Sequence, residues 1–207
     1  MKPKLLLCLA LVLSGHCFAA IVYPKVPDGG KQIVAKSLDG TFLKSLKVSR
    51  VEDLTIADPY RDYGVDLRNL AAGCLLSATR PAAWNYLLLR GTNVVGMEQL
   101  IADDKTKALK FNGLYQTDFS DETLEALAIA QQLPQVKKQD YEIRRLDCPS
   151  ILFVAVWLHG KSDDIIIPLG ATFGRWNALQ PYSEGEMIKL LKPEAQKKLK
   201  EPPGLLD

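Results

Sequence analysis

The hydrophobic pattern of the chain centres on residues 150–170, SILFVAVWLHGKSDDIIIPLG. Residues 151–158 form an unbroken apolar run of β-branched and aromatic side chains, which is typical of a strand buried on both faces. The polar residues 159–164 predict a turn, and residues 165–167 predict a second strand that ends at Pro168. The pattern therefore predicts a hairpin whose first strand lies inside a sheet.

Upstream, shorter apolar and polar alternations predict a further hairpin. Residues 31–38 and 41–48 flank Asp39-Gly40, a dipeptide that favours tight hairpin turns because both residues tolerate positive φ. Residues 51–57 follow as a third, weaker strand. Residues 58–64, which contain a proline, two tyrosines and an arginine, are interpreted as a loop.

The middle of the chain repeats the hairpin pattern. Residues 84–90 and 94–101 are apolar segments on either side of a short glycine-containing loop, and they predict a third hairpin. Residues 108–116 and 140–146 are each predicted to add one strand.

Three segments have helical spacing. The first begins at Asp66, which can cap a helix reaching about Thr79, and its apolar positions fall on one helical face that would place Cys74 inside the core. Those positions are Leu67, Leu70, Ala71, Cys74, Leu75 and Ala78. A second helix is predicted from Ser120, and the capping box at residues 183–186 predicts a C-terminal helix.

Strands that come as hairpins, with helices between them, indicate an α+β fold. We expect a largely antiparallel sheet built from hairpins, with two to three helices packed on one face. Residues 31–207 are predicted to form a single domain that ends in the C-terminal helix, preceded by a flexible lead-in over residues 20–30.

Residues 1–19 have the composition of a secretory signal peptide. Lys2 and Lys4 precede a short apolar core, and small residues allow cleavage after Ala19 or, as a second choice, after Ala20. The apolar core is shorter than the about 20 residues of a transmembrane helix, although a retained anchor is the structural alternative. We therefore expect a bacterial protein that is periplasmic or secreted, with no transmembrane segment after cleavage.

Charge changes the set of expected partners. The chain has 26 basic and 24 acidic residues, and the excess consists of the two lysines of the predicted signal peptide. The mature chain is then formally neutral, whereas strong nucleic-acid binding is accompanied by a basic excess. We expect no nucleic-acid partner.

Cysteine use follows the expected compartment. The predicted cleavage removes two of the four cysteines and leaves Cys74 and Cys148. In an oxidising compartment, an isolated pair favours a disulfide. The alternatives are two buried free thiols or a nucleophilic cysteine.

Histidine limits the possible chemistry, because His159 is the only histidine of the mature chain. A zinc site with several histidines is therefore excluded, and any histidine-dependent catalytic triad must use His159 as its base. The chain has no nucleophile elbow, P-loop or dinucleotide motif. We expect no metal and no cofactor, and His159 is a weak catalytic candidate.

Binding candidates come from two loops. The irregular segment 173–182 contains Arg175, Trp176 and Tyr182, a combination of aromatic and arginine side chains that is common in binding hot spots. The alternative is that its aromatic side chains cover the edge of the core. Asp163 and Asp164 form an acidic pair in the turn of the central hairpin.

These observations give a leading hypothesis and three alternatives. The leading hypothesis is an exported, non-catalytic domain that binds a partner protein or a cell-envelope ligand. The first alternative is a hydrolase with His159 as base and Cys148 or a serine as nucleophile. The second is a structural component of the cell envelope. A glycosidase with two carboxylates also stays open, because its acids come from distant positions in the sequence.

Overall fold

The computed structural model describes residues 20–103, 106, 108–115, 119–170 and 175–201. In this part of the chain nine strands form one mixed, mostly antiparallel sheet. They are β1 (Ile21–Val22), β2 (Thr55–Ile56), β3 (Tyr60–Gly64), β4 (Arg80–Arg90), β5 (Asn93–Ala102), β6 (Leu109–Tyr115), β7 (Tyr141–Cys148), β8 (Phe153–Gly160) and β9 (Asp164–Leu169). Seven strands lie in the order β6-β5-β4-β3-β7-β8-β9, while β1 pairs with β7 and β2 pairs with β4.

Five α-helices accompany the sheet in the described residues. They are α1 (Gly30–Ser37), α2 (Gly40–Ser45), α3 (Leu67–Ala72), α4 (Phe119–Ala130) and α5 (Glu184–Lys198). The predicted α+β class with a largely antiparallel sheet is confirmed. None of the helices in the described part of the chain is both long enough and apolar enough to cross a membrane.

The two predicted hairpins with the clearest patterns are present as β4–β5 and β8–β9. Leu87 lies opposite Met97 in the first, and Trp157 lies opposite Ile166 in the second. Strand β8 is an interior strand, as its apolar sequence predicted. In contrast, β3 and β7 are parallel neighbours at the middle of the sheet, a pairing that no hairpin pattern indicates.

The sheet has two faces, because successive side chains of a strand point to opposite sides. On the face that we name the α5 face, Trp157 and Ile166 pack with α3 and α5. Strand pairing places Trp84 on this same face, where it packs with α1 and α2. On the opposite face, named the α4 face, Val156 and Leu158 pack with α4. Both faces are therefore covered by helices, with α4 alone on its side among the described helices.

The predicted hairpin over residues 31–48 is wrong, because this segment forms α1 and α2. Val34 and Leu38 are four residues apart and are both buried, as expected of one helical face. Asp39 does not form a hairpin turn. Its carboxylate caps α2 by accepting hydrogen bonds from the backbone N–H groups of Thr41 and Phe42, at 2.8 and 3.0 Å.

Residues 51–64 differ from the prediction in two places. The expected weak strand over residues 51–57 is a short 3-10 helix, Val51–Asp53, followed by the two residues of β2. The expected loop over residues 58–64 contains β3, which pairs with both β4 and β7. Its polar residues belong to the centre of the sheet.

The helix predicted from Asp66 is capped as expected, because the Asp66 carboxylate accepts a hydrogen bond from the backbone N–H of Asn69 at 2.9 Å. It ends early, however, at Ala72, because Gly73 adopts a positive φ of 91° and terminates the helix. Cys74 then follows the helix and is exposed, instead of lying in the core as predicted.

The structure does not contain the predicted disulfide. Cys74 and Cys148 are both free thiols, and only Cys148 is buried. The side chain next to Cys74 that does enter the core is Leu75, which belongs to the same cluster as Cys148.

Both ends of the predicted domain can be placed in part. Within the predicted lead-in, Ile21 and Val22 form β1 and pair with β7. The capping box at residues 183–186 is present at the start of α5. The predicted signal peptide, residues 1–19, lies outside the described residues.

Candidate ligand-binding site

Two arginines from adjacent strands lie side by side on the α5 face. Arg61 of β3 is directly in register with Arg144 of β7. Because neighbouring strands are about 4.8 Å apart, both guanidinium groups emerge from the same small area at the middle of the sheet. The parallel pairing of β3 and β7 therefore builds the site from two segments that are distant in sequence.

Aromatic rings support both guanidinium groups. The Arg61 guanidinium carbon lies 5.0 Å from the centroid of the Trp84 ring. The Arg144 guanidinium carbon lies 4.8 Å from the Tyr63 ring centroid and 4.6 Å from that of Trp157. Cation–π contacts of this kind hold the planar guanidinium groups in fixed orientations.

Only one of the two arginines has an acidic partner among the described residues. Arg144 Nε donates a hydrogen bond to Glu142 Oε1 at 2.6 Å. Arg61 Nε is buried and has no hydrogen-bond partner, and no described carboxylate forms an ion pair with Arg61. Like charges directly opposite one another destabilise a sheet. An anionic group between the two guanidinium groups would remove this repulsion and would give Arg61 a partner.

His159 and Asp164 extend the site along β8 and β9. His159 is in register with Glu142, and its Nδ1 lies 2.8 Å from Asp164 Oδ1. The same carboxylate oxygen accepts a hydrogen bond from Trp157 Nε1 at 2.7 Å. Asp164 therefore fixes the orientation of both rings, which is the part that an aspartate has in a Ser-His-Asp triad.

The structure separates Cys148, the candidate nucleophile, from His159. Cys148 is six positions along β7 from Glu142, the residue opposite His159, which is a distance of roughly 20 Å at about 3.3 Å per residue. Burial also raises the pKa of the Cys148 thiol to about 11. No described serine is hydrogen-bonded to His159. The structure therefore does not place Cys148 as a nucleophile for His159, and the hydrolase alternative stays a prediction.

Asp163, the other acid of the hairpin turn, has a local structural role. It accepts hydrogen bonds from Tyr141 Oη at 2.6 Å and from Ser162 Oγ at 3.2 Å. It is thus engaged in holding the turn, whereas its neighbour Asp164 faces the arginine site.

The structure does not bring the predicted binding residues of segment 173–182 into this site. Trp176 is 4% exposed, and its Nε1 donates a hydrogen bond to the Gly170 carbonyl at 3.0 Å. Arg175 forms an ion pair with Glu194 at 2.8 Å. Tyr182 exchanges backbone hydrogen bonds with a residue of β9. The described residues of this segment cover the edge of the core, and residues 173 and 174 lie outside the described residues.

Arg61, Arg144 and Glu142 were not among the candidates predicted from the sequence. Glu142 and Arg144 alternate with the apolar Ile143 inside the predicted strand 140–146, and this alternation is the signal that could have indicated one polar face. Arg61 has no comparable local signal. Among the described residues, no group of three or more histidine, cysteine, aspartate or glutamate side chains is placed to hold a metal ion.

Comparisons of the chain with protein-family models, with curated proteins and with solved structures found no match.

Proposed function

We propose that this protein is an exported, non-catalytic binding domain that recognises an anionic group, a carboxylate or a phosphate, through Arg61 and Arg144. The observation that carries the proposal is the in-register pair of guanidinium groups, stacked on aromatic rings and accompanied by one carboxylate. The ligand would belong to a partner protein or to the cell envelope, and the protein would be periplasmic or secreted.

Arginine suits this task because its planar fork of N–H donors matches the oxygens of carboxylates and phosphates. In this site Trp84 and Trp157 contact one flat side of the two guanidinium groups. Their positions are thereby fixed before a ligand arrives, which reduces the entropy that binding must remove.

Glu142 would set the selectivity of the site. Its carboxylate already accepts a hydrogen bond from Arg144. A weakly charged ligand would therefore have to compete with Glu142 for Arg144. Arg61, which has no acidic partner among the described residues, would then make the first contact with an anionic ligand.

The proposal can be tested by titrating the protein, at low ionic strength, with inorganic phosphate and separately with succinate. Trp84 and Trp157 lie against the two arginines, so binding should change the intrinsic tryptophan fluorescence. We expect Arg61→Gln and Arg144→Gln each to weaken binding about tenfold or more, since a hydrogen bond to a charged group contributes about 1.5–3 kcal/mol.

Arg68→Gln is the matched control, because it removes the same charge from an exposed position on α3. It should leave the affinity unchanged. The proposal is wrong if the wild-type protein binds neither anion, or if Arg61→Gln and Arg68→Gln bind equally well while all variants remain folded.

A further inference from the structure

A row of polar side chains crosses the α4 face of the sheet, on the side opposite Arg61 and Arg144. Each of five adjacent strands, from β6 to β7, contributes one member. In order across the sheet they are Asn112, Gln99, Asn85, Asp62 and Arg145. The row lies beside the apolar cluster that packs under α4.

A β-bulge brings the outermost member into the row. The pairing of β5 with β6 shifts register between Gln99 and Leu100, so that these residues lie opposite Gly113 and Phe111. Asn112 is the extra residue, and its Nδ2 donates a hydrogen bond to Gln99 Oε1 at 2.6 Å. Bulges commonly redirect a side chain next to a functional site.

Gln99 connects the exposed end of the row to its buried end. Its Nε2 donates hydrogen bonds to Asp62 Oδ2 and to Asn85 Oδ1, both at 3.1 Å. Arg145 Nε lies 3.6 Å from the other oxygen of Asp62. Because both ends of the Gln99 amide are engaged, Gln99 holds Asn112 in one orientation.

The buried end of the row is unfavourable for stability. Asp62 is 4% exposed and Asn85 is fully buried, and burial raises the pKa of Asp62 although Arg145 opposes that shift. Asp62 Oδ1 and Arg145 Nε face each other as an ion pair without a hydrogen bond, and Asn85 Nδ2 has no hydrogen-bond partner. Buried polar atoms without partners cost about 1–3 kcal/mol each. A network with this cost points to a role other than stability.

The exposed end of the row lies beside an aromatic ring. Tyr115 is 39% exposed, and its ring lies against Gly113, where an added Cβ atom would be 3.1 Å from the ring. Gly113 is in register with Gln99. An exposed ring and a fixed amide, Asn112, are thus neighbours on the same face.

We propose that Tyr115 and Asn112, supported by Gln99, bind one sugar unit of a neutral glycan. The C–H side of a sugar ring can stack on Tyr115, while its hydroxyl groups both donate and accept hydrogen bonds. Asn112 still offers its Oδ1 and one N–H for that purpose. The three side chains are uncharged, so this end of the row favours a neutral ligand over an ion.

This site is independent of the anion site, because the two lie on opposite faces of the sheet. The probe is the tetramer of β-1,4-linked N-acetylglucosamine, which is neutral and does not engage the arginine pair. Isothermal titration calorimetry should detect its binding to the wild-type protein. We expect Tyr115→Ala and Asn112→Ala each to weaken this binding about tenfold or more.

Phe111→Ala is the matched control for Tyr115→Ala. Phe111 lies on the same strand and is 37% exposed, but it belongs to the α5 face, where its ring centroid is 5.6 Å from that of Phe42. Its removal should leave the affinity for the tetramer unchanged, as should Arg61→Gln. The inference is overturned if neither this tetramer nor the glucose tetramer cellotetraose binds, or if Phe111→Ala weakens binding as much as Tyr115→Ala does.

Discussion

At the scale of single residues, Glu98 makes the stability of the protein depend on pH. Its side chain is fully buried beneath α1, and its Oε1 accepts a hydrogen bond from Ser37 Oγ, while its Oε2 has no partner. Burial raises the pKa of Glu98 to about 7. Between the ordinary pKa of a glutamate and this value, the folded protein holds a proton that the unfolded chain releases. Stability should therefore fall as the pH rises through that window.

The test is Glu98→Gln, which removes the titration and keeps an acceptor for Ser37. Urea unfolding at pH 5.5 and pH 8 should show that the wild-type protein loses about 2 kcal/mol more than the variant over this range, since one pKa unit corresponds to about 1.4 kcal/mol. Asp147, whose pKa burial raises to about 6, changes stability in the same direction in both proteins. Glu52→Gln, at an exposed position, should behave as the wild type does. Equal pH dependence in Glu98→Gln and wild type would contradict the assignment.

The residues of the anion site show what local sequence can and cannot predict. His159 and Asp164 were identified because one is the only histidine that follows the predicted signal peptide and the other lies in a predicted turn. Arg61 was missed because its neighbours, two tyrosines and an aspartate, are typical of a loop. Its neighbours in the site, Arg144 and Trp84, are distant in sequence. They lie beside Arg61 only because β7 and β4 both pair with β3.

At the scale of elements, the packing of α1 on the sheet depends on a glycine. An added Cβ atom at Gly30 would lie 1.8 Å from Tyr86 Oη, and Tyr86 is buried and cannot move aside. Gly30→Ala should therefore destabilise the protein by displacing α1, at about 1–3 kcal/mol for an overpacked core. Chemical denaturation measures this loss, and hydrogen exchange should locate it in α1.

Gly185 provides the matched comparison, because it lies in α5 and nothing surrounds the position of its missing Cβ atom. Gly185→Ala should stabilise the protein, by up to about 1 kcal/mol, because alanine has the higher helix propensity. If the two substitutions shift stability in the same direction, the prediction that α1 needs a glycine beside Tyr86 is wrong.

The elements that were predicted correctly have local signals. The β4–β5 and β8–β9 hairpins combine apolar strands with short polar turns, and the capping box at residues 183–186 marks the start of α5. The hairpin predicted over residues 31–48 is wrong because the prediction rests on Asp39-Gly40 as a hairpin turn. Aspartate is common both in hairpin turns and at the first position of helices, where it acts as a cap. The helices bury Val34, Leu38 and Leu46 against the sheet, and this packing is not visible in the local sequence.

At the scale of the whole molecule, the middle of the sheet is unusual in being charged on both faces. Arg61 and Arg144 emerge on the α5 face, while Asp62 and Arg145 emerge on the α4 face. The apolar clusters lie to either side of these positions. Strands β3 and β7 therefore combine fully buried core residues, such as Ile143 and Leu146, with charged side chains on both faces of the sheet. Rigid strands of this kind are suited to presenting binding residues.

The two cysteines allow one measurement to test the compartment and the structure together. We expect protein collected from the periplasm of an expressing bacterium to have an intact mass that lacks residues 1–19, as the export proposal requires. Labelling with N-ethylmaleimide should then add one adduct to the native protein and two after denaturation.

This expectation rests on the different surroundings of the two thiols. Cys74 is exposed, whereas Cys148 is buried. Because burial also raises the pKa of the Cys148 thiol to about 11, the native protein protects Cys148 from the label. Cys74→Ser is the control and should take no label until it is denatured. A denatured wild-type protein that takes no label would instead contain the disulfide, and a mass that retains residues 1–19 would count against export.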